Sequence, residues 1–117
     1  MKLVRIAREQ WDVLGVVAPR DRCQVLDFLG GPETSQRVAR RHLLFFIRFV
    51  LPLTGPPRDN ADLCKSLGEG IFELRRQPKG PKLRVLFFYD DGRRIICTNA
   101  FVKAERTPGR KSSWRGT

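Results

Sequence analysis

The sequence predicts an α+β domain in which two helices pack on a small, mainly antiparallel sheet, in the order β-α-α-β-β-β. Three observations carry this prediction. Apolar residues between Thr34 and Leu51 recur with helical spacing. After the Pro/Gly-rich passage LTGPPRDN the apolar period falls from 3.6 to 2. Finally, Asp90-Asp91-Gly92-Arg93 separates two alternating runs, and Asp-Gly favours a type I′ hairpin turn with positive φ at both centres.

Taken in order, KLVRIA (Lys2 to Ala7) reads as a short strand rich in branched residues, followed by a loop ending at Pro19. Asp21 is a candidate cap for a short helix from Arg22 to Leu29, closed by Gly30-Gly31. The next helix runs from Thr34 or Ser35, either of which can cap it, to Leu51, where Pro52 is expected to stop it. Its core stripe is Ala39, Leu43, Phe46, Ile47 and Val50, with Arg37, Arg40, Arg41 and Arg48 opposite. That basic face is compatible with plain solvation and with contact to phosphates. His42 falls at the margin of the apolar side and reads as structural. Ile71 to Arg76, Leu83 to Tyr89 and Arg94 to Val102 read as three strands, and Gly68-Glu69-Gly70 as the turn that enters the first of them.

Length and charge bound the function. A chain of 117 residues with 41% hydrophobic residues has room for one core, expected to span residues 1–106, with 107–117 as a polar, basic, aperiodic tail. The 23 Lys and Arg against 12 Asp and Glu give a net charge of +11. Such an excess points to a polyanionic partner, and on charge alone nucleic acid, an anionic membrane and an acidic protein all qualify. The apolar stretch Leu43 to Leu53 is broken by Arg48 and Pro52 and falls short of the roughly 20 residues that span a bilayer. The N-terminus, with charges scattered through it, does not read as a signal peptide, so a cytoplasmic protein is expected. Cys23, Cys64 and Cys97 lack CxxC spacing and read as buried, reduced hydrophobes.

Cations also recur on the strands. In Ile71 to Arg76, Phe72 and Leu74 point one way while Ile71, Glu73 and Arg75 point the other. Arg84 alternates with Leu83 and Val85; Phe101 and Lys103 share a face, Arg106 follows, and the connecting loop adds Lys79 and Lys82. These residues could line a concave cationic face, or could be ordinary charges guarding an exposed sheet. With one histidine, no HExxH, no P-loop and no GxGxxG, neither a metal nor a cofactor is expected. Any catalysis would rest on Arg, Lys and backbone donors.

The segments GEGIFELR (Gly68 to Arg75) and PKLRVLFFYDDGRRIICTNAFVKAERTP (Pro81 to Pro108) resemble the RelE/HigB toxin superfamily, specifically its HigB-like, phage-derived branch. That branch has a glycine-led strand ending in ELR, a strand of the form xRVxYF, an acidic-glycine turn and a strand entering HGFVKK and TP. The resemblance implies a RelE-like fold and the toxin component of a type II toxin–antitoxin pair. It implies metal-free cleavage of mRNA on the ribosome and neutralisation by an antitoxin, often of the helix-turn-helix type. By position Arg75 and Lys103 would be catalytic, and Arg84, Arg106, Lys79 and Lys82 would hold RNA phosphates. The departures are Asn99 for His, Ala100 for Gly and Ala104 for the second Lys. Where the family continues into a C-terminal helix, this sequence has GRKSSWRGT, whose Trp114 is a candidate to stack on a base. These departures leave open a relative that binds RNA or protein without cutting, such as a phage-encoded component.

Overall fold

A computed structural model of the chain describes residues 2–31, 36–75 and 82–103. The strands are β1 (Lys2–Arg8), β2 (Asp12–Ala18), β3 (Arg22–Cys23), β4 (Cys64–Gly68), β5 (Ile71–Arg75), β6 (Leu83–Asp90) and β7 (Arg94–Val102). They form one mixed sheet in the order β1-β2-β7-β6-β5-β4, with β3 paired to β2. Every pairing is antiparallel except β2 with β7, which is parallel. The α+β class and the β5-β6-β7 meander follow the sequence prediction.

The segment expected to be a loop before Pro19 holds β2 instead. DVLGVVA lies between β1 and β7, and its near-continuous apolar run hides the alternation that marks a half-exposed strand. Gly15 has a packing reason, since a Cβ there would meet Cys23 Sγ at 2.6 Å. Strand β4 was also not expected, because only Cys64 of CKSLG is buried and no apolar pattern marks it. The turn expected at Gly68-Glu69-Gly70 does lead into β5, with Glu69 and Gly70 making the turn and Gly68 ending β4.

Helix α1 (Gln24–Gly30) starts two residues later than expected, with Cys23 at its N-cap. Asp21 does not cap it; it takes φ 57° and pairs with Lys2, while Arg22 Nε bonds Asp27 Oδ2 at 2.9 Å. The amide of Gln24 does further work, clamping the Ala100 backbone with two 2.7 Å hydrogen bonds. Those groups lie beyond Cys97, where β2 stops pairing with β7.

Helix α2 (Arg37–Phe45) continues through a π-helical turn, Phe46–Val50, into a short helix α3 (Leu51–Thr54). Its candidate caps Thr34 and Ser35 lie outside the described residues. Pro52 does not end the helix. Lacking an N–H, it removes one bond of the ladder, and the Leu51 N–H instead bonds the carbonyl of Phe46, five residues back. Gly55 ends the helix at φ 78°, directly against Trp11, where a Cβ would meet the indole at 2.6 Å. Ala39, Leu43, Phe46 and Ile47 are buried as expected, and Val50 is half-buried. They pack with Val25 and Leu29 of α1 onto Leu74, Val85 and Phe87 of the sheet. Arg40 departs from the basic face: it is 9% exposed, donates to the Phe28 carbonyl at 2.6 Å and stacks over the Phe28 ring. It thereby serves the end of α1.

The β6–β7 turn also differs from a type I′ turn. Gly92 is not at positive φ; Arg93 is, at 59°, and a three-residue loop joins the Asp90–Arg94 pair. Asp90 holds this loop through its bonds to the Gly92 amide and the Arg94 guanidinium. Cys23, Cys64 and Cys97 are buried and unpaired.

Candidate functional site

Directly opposed residues on neighbouring strands share a sheet face, so register decides which charges meet. Arg75 of β5 faces Arg84 of β6, which faces Phe101 of β7. One step along, Glu73 faces Leu86, which faces Asn99. Lys103 follows Phe101 by two residues and returns to the same face, its amide extending the ladder to the Lys82 carbonyl at 2.7 Å. The alternate positions Leu74, Val85 and Ala100 point into the helix-covered core. The sheet therefore separates the cations from the helices.

The three predicted cations converge on Glu73. Its Oε1 lies 3.3 Å from Arg75 Nε, 3.4 Å from Arg84 Nε and 3.9 Å from Lys103 Nζ. The side chains are graded in exposure: 5% for Glu73, 9% for Arg84, 26% for Arg75 and 43% for Lys103. Buried Arg84 and Glu73 thus form a base on which the more open Arg75 and Lys103 stand. Arg84 Nη1 donates to the Leu83 carbonyl at 2.9 Å. Its Nε faces Glu73 off hydrogen-bond geometry, so that contact is ionic. Burial pulls the Arg84 pKa below the usual arginine value; the Glu73 charge opposes this and the Arg75 charge adds to it. Arg84 remains a cation at neutral pH, because guanidinium does not lose its proton in proteins.

Three cations against one carboxylate leave the cluster with an excess of two positive charges. A partly exposed guanidinium beside an ammonium suits a phosphodiester, whose oxygens accept charge-assisted hydrogen bonds. Glu73 is the residue that sequence reasoning missed. Its signal was present, an acid on a strand face shared with Arg75, but only the cross-strand register reveals that it joins all three cations. Asn99 stands two rungs from Arg84, where the resembled motif has histidine, and its Oδ1 accepts a 2.9 Å hydrogen bond from Thr98. Thr98 is the residue bulged out of the β6–β7 ladder. Lys79, Arg106, Ala104 and Trp114 lie outside the described residues, as does the expected 107–117 tail; Lys82 directly precedes β6. His42 is exposed on α2, on the far side of the sheet from the cluster.

A depression of about 830 Å³ lies elsewhere, lined by residues of β1, β2, β3 and α1 and by Arg20 and Asp21 between β2 and β3. The Lys2–Asp21 and Arg22–Asp27 pairs leave Arg20 as its one excess charge, against the excess of two at the Glu73 cluster. Among the described residues no three His, Cys, Asp or Glu side chains gather as metal ligands, and no helix is long and apolar enough to cross a membrane.

The family described as Phage derived protein Gp49-like (DUF891) matches residues 34–112, more than half of the chain. The chain belongs to the Gp49-like family. The matched span carries α2 and β4 to β7, and with them Glu73, Arg75, Arg84 and Lys103. The Gp49-like family is of the RelE/HigB-like kind that the strand motifs resemble, and the mixed sheet with its two helices is consistent with a RelE-like fold. No curated protein and no solved structure matches this Gp49-like chain.

Proposed function

We propose that this Gp49-like protein is the toxin of a type II toxin–antitoxin pair, a ribosome-dependent endoribonuclease that cuts mRNA in the cytoplasm without a metal. The observation that carries the reading is the convergence of Arg75, Arg84 and Lys103 on one sheet face with an excess of positive charge. In this reading residues 1–106 form the working domain, 107–117 a basic extension, and a helix-turn-helix antitoxin is the neutralising partner.

The chemistry suits the residues present. The ribose 2′-oxygen forms a bond to phosphorus, its proton passing to solvent, and the bond from phosphorus to the 5′-oxygen breaks. The products are a 2′,3′-cyclic phosphate and a free 5′-hydroxyl. Arg75 donates to the non-bridging oxygens as they gain charge, and Arg84 supports the same charge from below. Lys103 gives a proton to the departing 5′-oxygen. Glu73 touches no substrate in this scheme; it positions Arg75 and Arg84. Lys79, Lys82 and Arg106 are assigned to phosphates of the flanking RNA.

The test is a translating ribosome complex, in the Mg2+ that ribosomes need, incubated with purified protein, with the ends of the message mapped by primer extension and their chemistry identified. Cleavage by the parent, reduced at least a hundredfold by both Arg75→Ala and Lys103→Ala, is the expected outcome. An intact message, or cut ends that carry a 3′-hydroxyl and a 5′-phosphate in place of a 2′,3′-cyclic phosphate and a 5′-hydroxyl, would refute the scheme.

A second reading has its own support. Asn99 cannot serve as a proton-transfer group as histidine would, and its oxygen is engaged by Thr98. A protein that binds RNA through the same cations without cutting would leave messages intact yet shift them in a binding assay.

A further inference from the structure

We infer that the outer face of α2 is a docking surface for an acidic amphipathic helix of a partner protein. The inference does not rest on ribonuclease activity; it concerns the face of the molecule remote from the Glu73 cluster.

Val38, Phe45, Phe49 and Leu53 are 67%, 59%, 58% and 57% exposed, more than half of each side chain in water. The spacings of seven, four and four residues place them in one stripe along the helix. Phe45 and Phe49 pack against each other with ring centroids 4.9 Å apart, so the stripe has a preformed aromatic centre. It is separate from the buried stripe of Ala39, Leu43 and Ile47, whose apolar area already covers the sheet. A single exposed Leu or Phe is ordinary; four in line on one helix are a binding surface.

The charges beside the stripe decide its occupant. Arg37, Arg41 and Arg48 are exposed and fall along one edge of it. Among the described residues none of them has an ion pair, and the sequence holds no Asp or Glu from Arg37 through Arg58. A second copy of this chain would bring two arginine lines together, which like-charge repulsion opposes. RNA would satisfy the arginines but gains nothing from Val38 and Leu53. A helix lying in a lipid surface carries cations on both sides of its apolar face, whereas here they line one edge. An apolar ridge flanked on one side by Asp or Glu fits both the stripe and its border.

The probe is a synthetic helix of roughly 18 residues, five turns, with a leucine ridge and glutamates along one flank. Its twin carries lysines in place of the glutamates. Binding to the full chain is read by fluorescence anisotropy at low and physiological salt. The glutamate peptide is expected to bind and the lysine twin not. Phe45→Ser with Phe49→Ser should weaken binding about tenfold or more, as for central aromatic anchors. Arg41→Gln with Arg48→Gln should weaken it about threefold per arginine, as for rim charges. Arg75→Ala should bind like the parent. Should the phenylalanine variant fail to fold, the arginine variant and the lysine twin still decide. Equal binding of the two peptides, or full binding by the arginine variant, would overturn the inference. So would tighter association with phosphatidylglycerol–phosphatidylcholine vesicles than with the peptide. Self-association in sedimentation that the phenylalanine substitutions abolish would assign the face to a second copy instead.

Discussion

A carboxylate with 5% of its side chain exposed is tolerable only where cations replace the water it has lost. Glu73 has three, and one of them, Arg84, is itself 9% exposed. Each of the two buried charges is stable because of the other, so removing one exposes the full desolvation cost of its partner. Glu73→Ala should lower stability by about 3 kcal/mol, read as a fall in the urea midpoint at unchanged m-value. A loss within 0.5 kcal/mol, the usual range for a surface substitution, would mean that Arg84 finds other compensation. Arg75→Ala and Lys103→Ala, at the more open end of the cluster, should leave the stability within about 0.5 kcal/mol of the parent. This difference separates the residue that positions from those that would touch RNA. Cys97 supplies a second test. Burial pushes its thiol up to about 12 from 9.0, with the neighbouring Cys23 adding to the effect. A raised folded-state pKa contributes stability fully present below 9.0 and lost as pH rises from there toward 12. The urea midpoint should therefore decline above pH 9. At pH 8 a disulfide reagent should modify Cys97 only as fast as the chain opens; immediate reaction of all three thiols in the native protein would contradict that burial.

Among the elements, α2 and the β6–β7 hairpin were the most legible in the sequence, α2 because it shows one face to the core and one to water, the hairpin because an acidic-glycine turn separates two runs rich in branched and aromatic residues. Strand β2 was not, since burial between β1 and β7 erases the alternation on which strand reading depends. Strand β4 failed for the opposite reason: an edge strand with one buried residue carries almost no pattern. At Pro52 the rule that proline stops a helix lost to a local rearrangement, with the π turn absorbing the missing donor. For the site, alternation placed Arg75, Arg84 and Lys103 on strand faces, but their meeting is a matter of register between strands up to thirty residues apart in sequence. Register is set by turns and pairing, which explains why Glu73 went unassigned. Gly55 tests the close of the long helix. Gly55→Ala would put a side chain at φ 78° and into the Trp11 indole, costing about 1 kcal/mol for the backbone and more for the displaced ring. Near-ultraviolet circular dichroism should report Trp11 leaving its edge contact with Tyr89, which has ring centroids 6.0 Å apart. An unchanged spectrum and melting temperature would show that the contact is dispensable.

For the whole molecule, the two halves of the surface divide the work. One sheet face presents the Glu73 cluster, and beyond the core the helix face presents an apolar stripe with an arginine border. The net charge of +11 acts on both, drawing polyanions to the molecule before any specific contact forms. RNA or ribosome binding should consequently weaken steeply between low and physiological salt as cationic contacts release counterions. Affinity independent of salt would remove the basic face from the account. The most direct test is induced expression in a bacterial host, with growth and message integrity followed beside Arg75→Ala at matched soluble level. Growth arrest with cut, translated messages, both abolished by the substitution, is the predicted result. Normal growth with intact messages, or arrest that Arg75→Ala leaves untouched, would contradict the assignment of this cluster as an RNA-cleaving site.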